Sequence, residues 1–370
     1  MRAACASQTL TVPMAVIVSL ALLRPTLCGR PSEMLTKSAV RSAGSGLRQL
    51  RAAGDDSSDS AWAAPSDPTL APRGLGVKGD DLDDSPSEDL FLHRSCGTEP
   101  ETAEQMAAEK SRLDAAARFM AAEDADNALG NSRMVIKKYG AFIKQVKVYW
   151  HVIQSGPSYR QGAISTDAIN KQMEVLNRVF AKADIRFDLA GVDTTTSAEW
   201  FRVQQNSAED AAMKQALHKG SMQDINIYSA SPKGTEGQQI AGYTKLPQFA
   251  AQDPTLDGSV VLYSTLPGGE QYELNLGYTL VHEVGHAFGL MHPFDHGCNL
   301  PGDQVGDTPY QAKASYDCQK RKTCPGTPGE WDPIHNPMGY SPDSCMTQFS
   351  TQQSKKIRKS WWAYRNQTTG

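Results

Sequence analysis

His282-Glu283-Val284-Gly285-His286-Ala287-Phe288-Gly289-Leu290-Met291-His292 is the run from which the rest of this chain can be read. Histidines four apart fall on one face of a helix. There, two imidazoles suit a single zinc ion at about 2.0–2.1 Å per nitrogen. Glu283 is rotated by about 100° from His282, so it is free to act as general base on a water at the metal. Gly289 allows the helix to stop, because glycine accepts left-handed dihedrals, and His292 returns as the third ligand. Three protein ligands leave a fourth position open for water, which is the catalytic rather than the structural arrangement. At this composition His-x-x-x-His with the intervening Glu arises by chance about once in a hundred such chains, and the further Gly-x-x-His lowers that to about one in a hundred thousand. A core helix with incidental histidines is the first alternative, and the spacing weighs against it. A closed structural zinc site is the second, and it needs four protein ligands and no base.

Outward from this run, residues 276–288 predict an apolar helix. Upstream, residues 146–153 (VKVYWHVI) alternate and are β-rich, so they predict a strand. Residues 165–183 predict a helix with Ser165 as its cap and Ile169, Met173, Leu176, Val179 and Phe180 on one face. Strands follow at 184–189, 224–229, 239–245 and 259–263. Residues 293–348 are rich in Pro, Gly, Asp and Cys, a long irregular stretch that disulfides and metals would have to hold. Residues 351–364 predict a closing helix. Its Lys355, Lys356, Arg358 and Lys359 read as one solvated face, with Trp361 and Trp362 packing inward. Strand–helix alternation followed by a cysteine-rich half argues α/β or α+β. His151 reads as a core residue, and His296 does not fit the ligand spacing.

The 370 residues are 39% hydrophobic and 21% charged, enough for a sizeable core and against wholesale disorder. Lys+Arg 37 against Asp+Glu 41 leaves a net charge of −4, which disfavours nucleic-acid binding driven by global charge. No stretch in the body of the chain reaches about 18 uncharged apolar residues, so no stable membrane insertion is expected there. Residues 1–29 read as a secretory signal, with a short apolar run at 12–23 and small residues near 26–29. Residues 51–95 hold ten acids against four Lys/Arg, too polar to offset their ordering entropy. A Gly- and Pro-free helix is expected at 101–124. The expected organisation is a signal at 1–29, a pro-segment at 30–135 and a catalytic domain at 136–370, exported to an oxidising compartment.

Of the seven cysteines, Cys5 and Cys28 leave with the signal. Cys298, Cys318, Cys324 and Cys345 suggest two disulfides, for which the spacing leaves three connectivities open. Cys96 is left over. A thiolate is a good soft zinc ligand, so a Cys96 sulfur in the open position would keep a precursor inactive. A buried or intermolecularly paired cysteine is the alternative. Asp303, Asp307 and Thr308 group hard oxygens in one polar loop, which suits calcium or a solvated acidic turn. Asn366-Gln367-Thr368 is a glycosylation acceptor by pattern.

His282 to His292 resembles the long zinc motif of the metzincin metallopeptidases. Asn336-Pro337-Met338-Gly339-Tyr340-Ser341 is similar to their Met-turn, a loop whose Met lies beneath the metal. The lead-in Leu276-Gly277-Tyr278-Thr279-Leu280, the Gly302 to Pro309 loop, Tyr340 to Met346, the VYWHVI strand and Cys96-Gly97-Thr98 resemble one branch of that clan, the pappalysins with their fungal and bacterial secreted relatives. The resemblance runs in order from about 96 to 364. Gly339 departs from it, since relatives usually carry an acid there; zinc chemistry is unaffected and substrate preference is left open.

The resemblance implies an α+β metzincin fold: a twisted mixed sheet over two long helices, an active-site helix and a loop-rich, disulfide-stapled C-terminal subdomain. It implies Tyr340 as a donor to the developing oxyanion, which a phenol near the metal can be. It implies the pairings Cys298–Cys324 and Cys318–Cys345, and it points to calcium at Asp303, Asp307 and Thr308. The cysteine switch is implied by analogy with matrix-degrading metzincins. The expected activity is that of a secreted zinc endopeptidase, made latent, with peptide substrate extended along an edge strand near residues 240–245. A secreted binding protein that keeps zinc without turnover is the alternative, and the intact Glu283 weighs against it.

Overall fold

The computed structural model describes residues 93–128, 144–326 and 331–366. The expected signal, most of the acidic stretch, the connection at 129–143 and the end of the glycosylation acceptor lie outside the described residues. Five strands form one sheet: β1 (Lys144–Gln154), β2 (Ile185–Thr196), β3 (Ile225–Ala230), β4 (Gly242–Thr244) and β5 (Ser259–Leu262). Their order is β2-β1-β3-β5-β4. The first four in that order run parallel, and β4 is antiparallel to β5 at the edge. The α-helices among the described residues are α1 (Ala103–Ala128), α2 (Thr166–Phe180), α3 (Ala198–Phe201), α4 (Ala208–Leu217), α5 (Pro247–Ala250), α6 (Tyr278–Ala287) and α7 (Thr351–Ser360). Parallel neighbours require crossovers. Helix α2 makes the one between β1 and β2, and α3 with α4 lie between β2 and β3.

All six residues of β3 are buried, as expected of a strand covered on both faces. On one face Val148, Trp150 and Ile227 share an apolar cluster with α2 and α6. On the other Ile153, Tyr228 and Val260 pack with Phe201 of α3 and Met213 of α4. Helix α2 forms where its apolar spacing predicts. Ser165 Oγ accepts the Ala168 N–H at 3.2 Å, a cap worth about 1 kcal/mol. Leu176 and Phe180 are fully buried, and truncating Leu176 to Ala would cost roughly 2–5 kcal/mol.

Boundaries differ from expectation where distant segments intervene. β2 runs on to Thr196 because 191–196 pair with β1 past a bulge at Val148/Tyr149; its alternating exposed residues suit an outer strand. β4 is shorter than 239–245, since Ile240 N–H bonds the Pro232 carbonyl and Ala241 N–H bonds Ser95. Helix α6 begins at Tyr278, and the N–H groups of Leu276 and Tyr278 are taken by Asp343 Oδ2 at 2.8 and 3.2 Å. It ends at Ala287, and Gly289 follows at φ +78°. Helix α7 stops at Ser360, and a π turn carries Trp361–Arg365 inward, where Arg365 forms a two-armed pair with Asp257 at 2.8 and 3.0 Å. Trp361 is buried and Trp362 half-buried.

The basic face of α7 is corrected. Lys356 is buried and lies 3.5 Å from Glu109 of α1, because α1 packs over it. Arg358 pairs with Asp184 at 2.5 Å. The irregular stretch is stapled by Cys298–Cys324 and Cys318–Cys345. Loops of 26 and 27 residues make each bridge worth about 3.5 kcal/mol by chain entropy.

Candidate active site

His282 and His286 leave α6 one turn apart, and the chain reverses after Gly289 to bring His292 beside them. Their three Nε2 atoms lie 3.1, 3.1 and 3.2 Å from one another. Ligands at 2.0–2.1 Å around a tetrahedral ion would sit about 3.3 Å apart. Each ring spends its other nitrogen on an acceptor: His282 Nδ1 on the Pro337 carbonyl at 2.9 Å, His286 Nδ1 on the Leu290 carbonyl at 2.7 Å, His292 Nδ1 on Asp295 Oδ1 at 2.8 Å. Carbonyls and carboxylates only accept, so the protons sit on Nδ1 and three Nε2 lone pairs face one another. Burial and mutual repulsion drive His282 and His286 well below the usual imidazole range. Three converging lone pairs in a dry site call for a cation, so the residues present fit a metal ion.

Two elements press on this cluster. Met338 is fully buried, and its sulfur occupies the space that a Cβ on Gly285 would take, 2.5 Å away. Only glycine at 285 admits the loop beneath α6. Phe294 stacks on His292 with centroids 4.9 Å apart and planes 6° off parallel.

Glu283 is buried on α6 and faces β4. Its Oε2 accepts from Thr244 Oγ1 of β4 at 2.9 Å, and Thr244 Oγ1 also lies 3.0 Å from Ser259 Oγ. Burial lifts the carboxyl to about 7, against the bonds from Cys96 and Thr244. A carboxyl there exchanges protons near neutrality. Tyr340 packs against His282 and His292, with centroids 5.7 and 5.3 Å away. Burial pushes its phenol up, so it keeps its proton. Its Oη accepts the Cys96 N–H at 3.1 Å.

Residues 94–98 occupy the cleft. Cys96 pairs with Gly242 in parallel fashion. Ala241 N–H bonds the Ser95 carbonyl and Gly97 N–H bonds the Gly242 carbonyl, both at 2.9 Å. Thr98 Oγ1 exchanges bonds with Thr244 N and O at 3.1 Å. Cys96, a free thiol, places Sγ within 4.8 Å of the three Nε2 atoms. Burial and the neighbouring Glu283 push the thiol up; a bound cation would act in the opposite sense. Two residues earlier, Arg94 is 2% exposed. Its guanidinium pairs with Asp343 and donates to Thr279 Oγ1 at 3.1 Å.

The polar loop separates. Asp307 is exposed and caps α7, accepting from Ser350 Oγ at 2.5 Å and Gln352 N at 2.9 Å. Asp303 and Thr308 are buried, and Asp303 Oδ2 and Thr308 Oγ1 find no hydrogen-bond partner. Burial lifts the Asp303 carboxyl to about 7. His296 is outside the metal-ligating group found among the described residues. His151 is a core residue held by Asp193 at 2.9 Å and Asn226 at 3.0 Å.

Sequence reasoning missed Asp295, Thr244, Arg94 and Asp343 as site residues. Asp295 was within reach, since an acid three residues after a metal-ligand histidine is a ready partner for its other nitrogen. Arg94 and Asp343 are 249 residues apart, and no local pattern joins them.

Residues 220–361 match the peptidase family described as pregnancy-associated plasma protein-A. An extracellular metalloprotease of Podospora anserina is 42% identical over 224 residues, 60% of this chain and 74% of the relative. An extracellular metalloprotease of Colletotrichum graminicola is 36% identical over 280 residues, 74% of this chain and 92% of the relative. Among solved structures, a mutant promirolysin of Tannerella forsythia has a similar fold. It superposes with a TM-score of 0.53 at 23% identity, covering 74% of this chain and 95% of that one.

Proposed function

The chain belongs to the pregnancy-associated plasma protein-A family, the pappalysin branch of the metzincin metallopeptidases, and from that premise we propose that it is a zinc endopeptidase held latent by its own residues 94–98. It is an extracellular metalloprotease, as its relatives are. The observation that carries the fuller reading is the convergence of three proton-free Nε2 atoms beside the buried carboxyl of Glu283, with Cys96 Sγ in the same cluster.

His282, His286 and His292 would hold the zinc ion. When bound, zinc supplies Lewis-acid polarisation of the scissile carbonyl and acidifies a water. Glu283 takes a proton from the attacking water and returns it to the leaving amine. Thr244 holds that carboxylate by one oxygen and leaves the other for the water. Tyr340, released from Cys96 N–H, donates to the oxyanion. Asp295 keeps the His292 tautomer.

Substrate adds antiparallel to β4. Residues 94–98 run along it in the parallel sense, so their peptide bonds present the wrong direction while their Cys96 sulfur takes the water's place. The segment assignment follows: a signal at 1–29, a pro-segment at 30–135 and a catalytic domain at 136–370. The pocket filled by Arg94 has Asp343 at its base, which supports a basic side chain in substrate on the leaving side of the scissile bond. A divalent cation such as calcium would satisfy Asp303 Oδ2 and Thr308 Oγ1.

The test uses the precursor before and after limited proteolysis of its N-terminal region, on fluorogenic peptides with and without chelator. Cleavage that appears on processing, stops with chelator and returns with zinc is expected. Cleavage indifferent to chelator would overturn the reading.

A further inference from the structure

His93 precedes Arg94 and is exposed, yet its ring lies 5.2 Å from that of Tyr316, with planes 49° apart. Tyr316 is itself 45% exposed. Large exposed aromatics on irregular loops need a reason to stay in place, and this one is anchored from both sides. Ser315 Oγ accepts from Gln311 Nε2 at 2.9 Å and from Arg321 at 3.2 Å. Both carboxylate oxygens of Asp317 accept from one nitrogen of Arg321, Nη2, at 2.8 and 2.7 Å. Cys318 is bridged to Cys345, two residues from Asp343. On its inner side the Tyr316 ring lies 6.0 Å from Tyr340, which packs on the metal-site histidines. The ring thus stands between His93 and Tyr340, on a loop held by Arg321 and the Cys318–Cys345 bridge.

We propose that Tyr316 is a specificity-determining residue: it receives the side chain next to the one in the Asp343 pocket and favours an aromatic or imidazole ring there. The proposal rests on the reading that the Asp343 pocket takes a basic residue of substrate. Residues 93–98 run parallel to β4, so a substrate running antiparallel reverses the order. The ring standing where His93 stands therefore belongs to the residue that follows the basic one. Ring pairs of this kind contribute about two- to tenfold in binding beyond buried area.

The test uses processed enzyme and four peptides of one frame, with Arg or Leu directly after the scissile bond and Phe or Ala next, products being sequenced to fix the cut. The Phe/Ala ratio of kcat/KM is read within each variant, so it does not move with the fraction of folded enzyme. Wild type is expected to give a ratio of about two to ten. Tyr316→Phe keeps that ratio, and Tyr316→Ala brings it to about one. A wild-type ratio of one, or a Tyr316→Ala ratio equal to wild type, overturns the proposal. The Arg/Leu comparison stands separately: no preference there refutes the Asp343 pocket, whatever the second position does.

Discussion

Residues 93–98 and helix α1 are neighbours in one N-terminal segment, yet different physics holds each to the enzyme. The first part is held by directional contacts that one geometry satisfies: a backbone ladder on β4, a thiol over three imidazoles and a buried Arg94–Asp343 pair. Helix α1 lies on α7, and among its described side chains the buried apolar ones are Met106, Leu113 and Ala116. Its polar contact sets Glu101 and Glu109 against one ammonium, Lys356, with Gln304 and Gln248 donating to Glu101 at 3.1 and 2.6 Å. Glu109 Oε1 has no hydrogen-bond partner. Blocking a catalytic cleft requires a segment that fits it atom by atom. An anchor only has to adhere, and it can be left imperfectly paired and sensitive to its surroundings.

The largest effect should come from the site that both parts cover. In processed enzyme Glu283→Ala would remove the proposed base, and kcat should fall by about 10²–10⁴ while zinc content by metal analysis stays at one per chain. Near-wild-type kcat would separate Glu283 from the chemistry. Next is the buried ion pair of the cleft segment. Asp343→Ala strands the Arg94 charge, so the precursor should lose roughly 3–5 kcal/mol, measured by denaturant unfolding. Enzyme processed so as to remove Arg94 should lose far less. Equal losses would mean that Asp343 acts through the N–H groups of Leu276 and Tyr278 alone.

Cys96→Ala tests how much of the block is thiol and how much is ladder. The variant precursor should cleave peptide slowly without processing, and adding Arg94→Ala should bring it close to the processed rate. Latency unchanged in the double variant would move the block to helix α1. The smallest effect concerns α1 itself. Burial, with Glu109 beside it, lifts the Glu101 carboxyl from 4.5 to about 7. The docked segment that leads into α1 thus holds a proton that the released one gives up. Docking is fully supported below pH 4.5 and weakens as pH rises through 7. Protease nicking of α1 in the precursor should therefore rise across that window, on the order of tenfold, and Glu101→Gln should flatten the dependence. A flat wild-type profile would leave α1 held by its apolar contacts.

How much was legible follows from how local each signal is. His282 and His286 declare themselves because helical period puts i and i+4 on one face whatever surrounds them. Helix α2 is legible for the same reason, with its cap and apolar stripe in one stretch. Lys356 was misread because its neighbours along α7 are charged and exposed, while what covers it comes from α1. Asp307 was grouped with Asp303 by nearness in sequence, and the loop turns the two apart, one to a helix end and one inward.

By itself the sequence determined that a helix carries His282 and His286 on one face with Glu283 between them, and that a turn at Gly289 can return His292 to them. Those features rest on spacing within a few residues. Only the tertiary structure decided that residues 94–98 lie along β4 in the parallel sense, that Arg94 finds Asp343, and that Thr244, Pro337 and Leu290 orient Glu283, His282 and His286. Those are contacts between distant segments, or with backbone groups common to every residue. Their partners become visible only when folding brings them within hydrogen-bond reach.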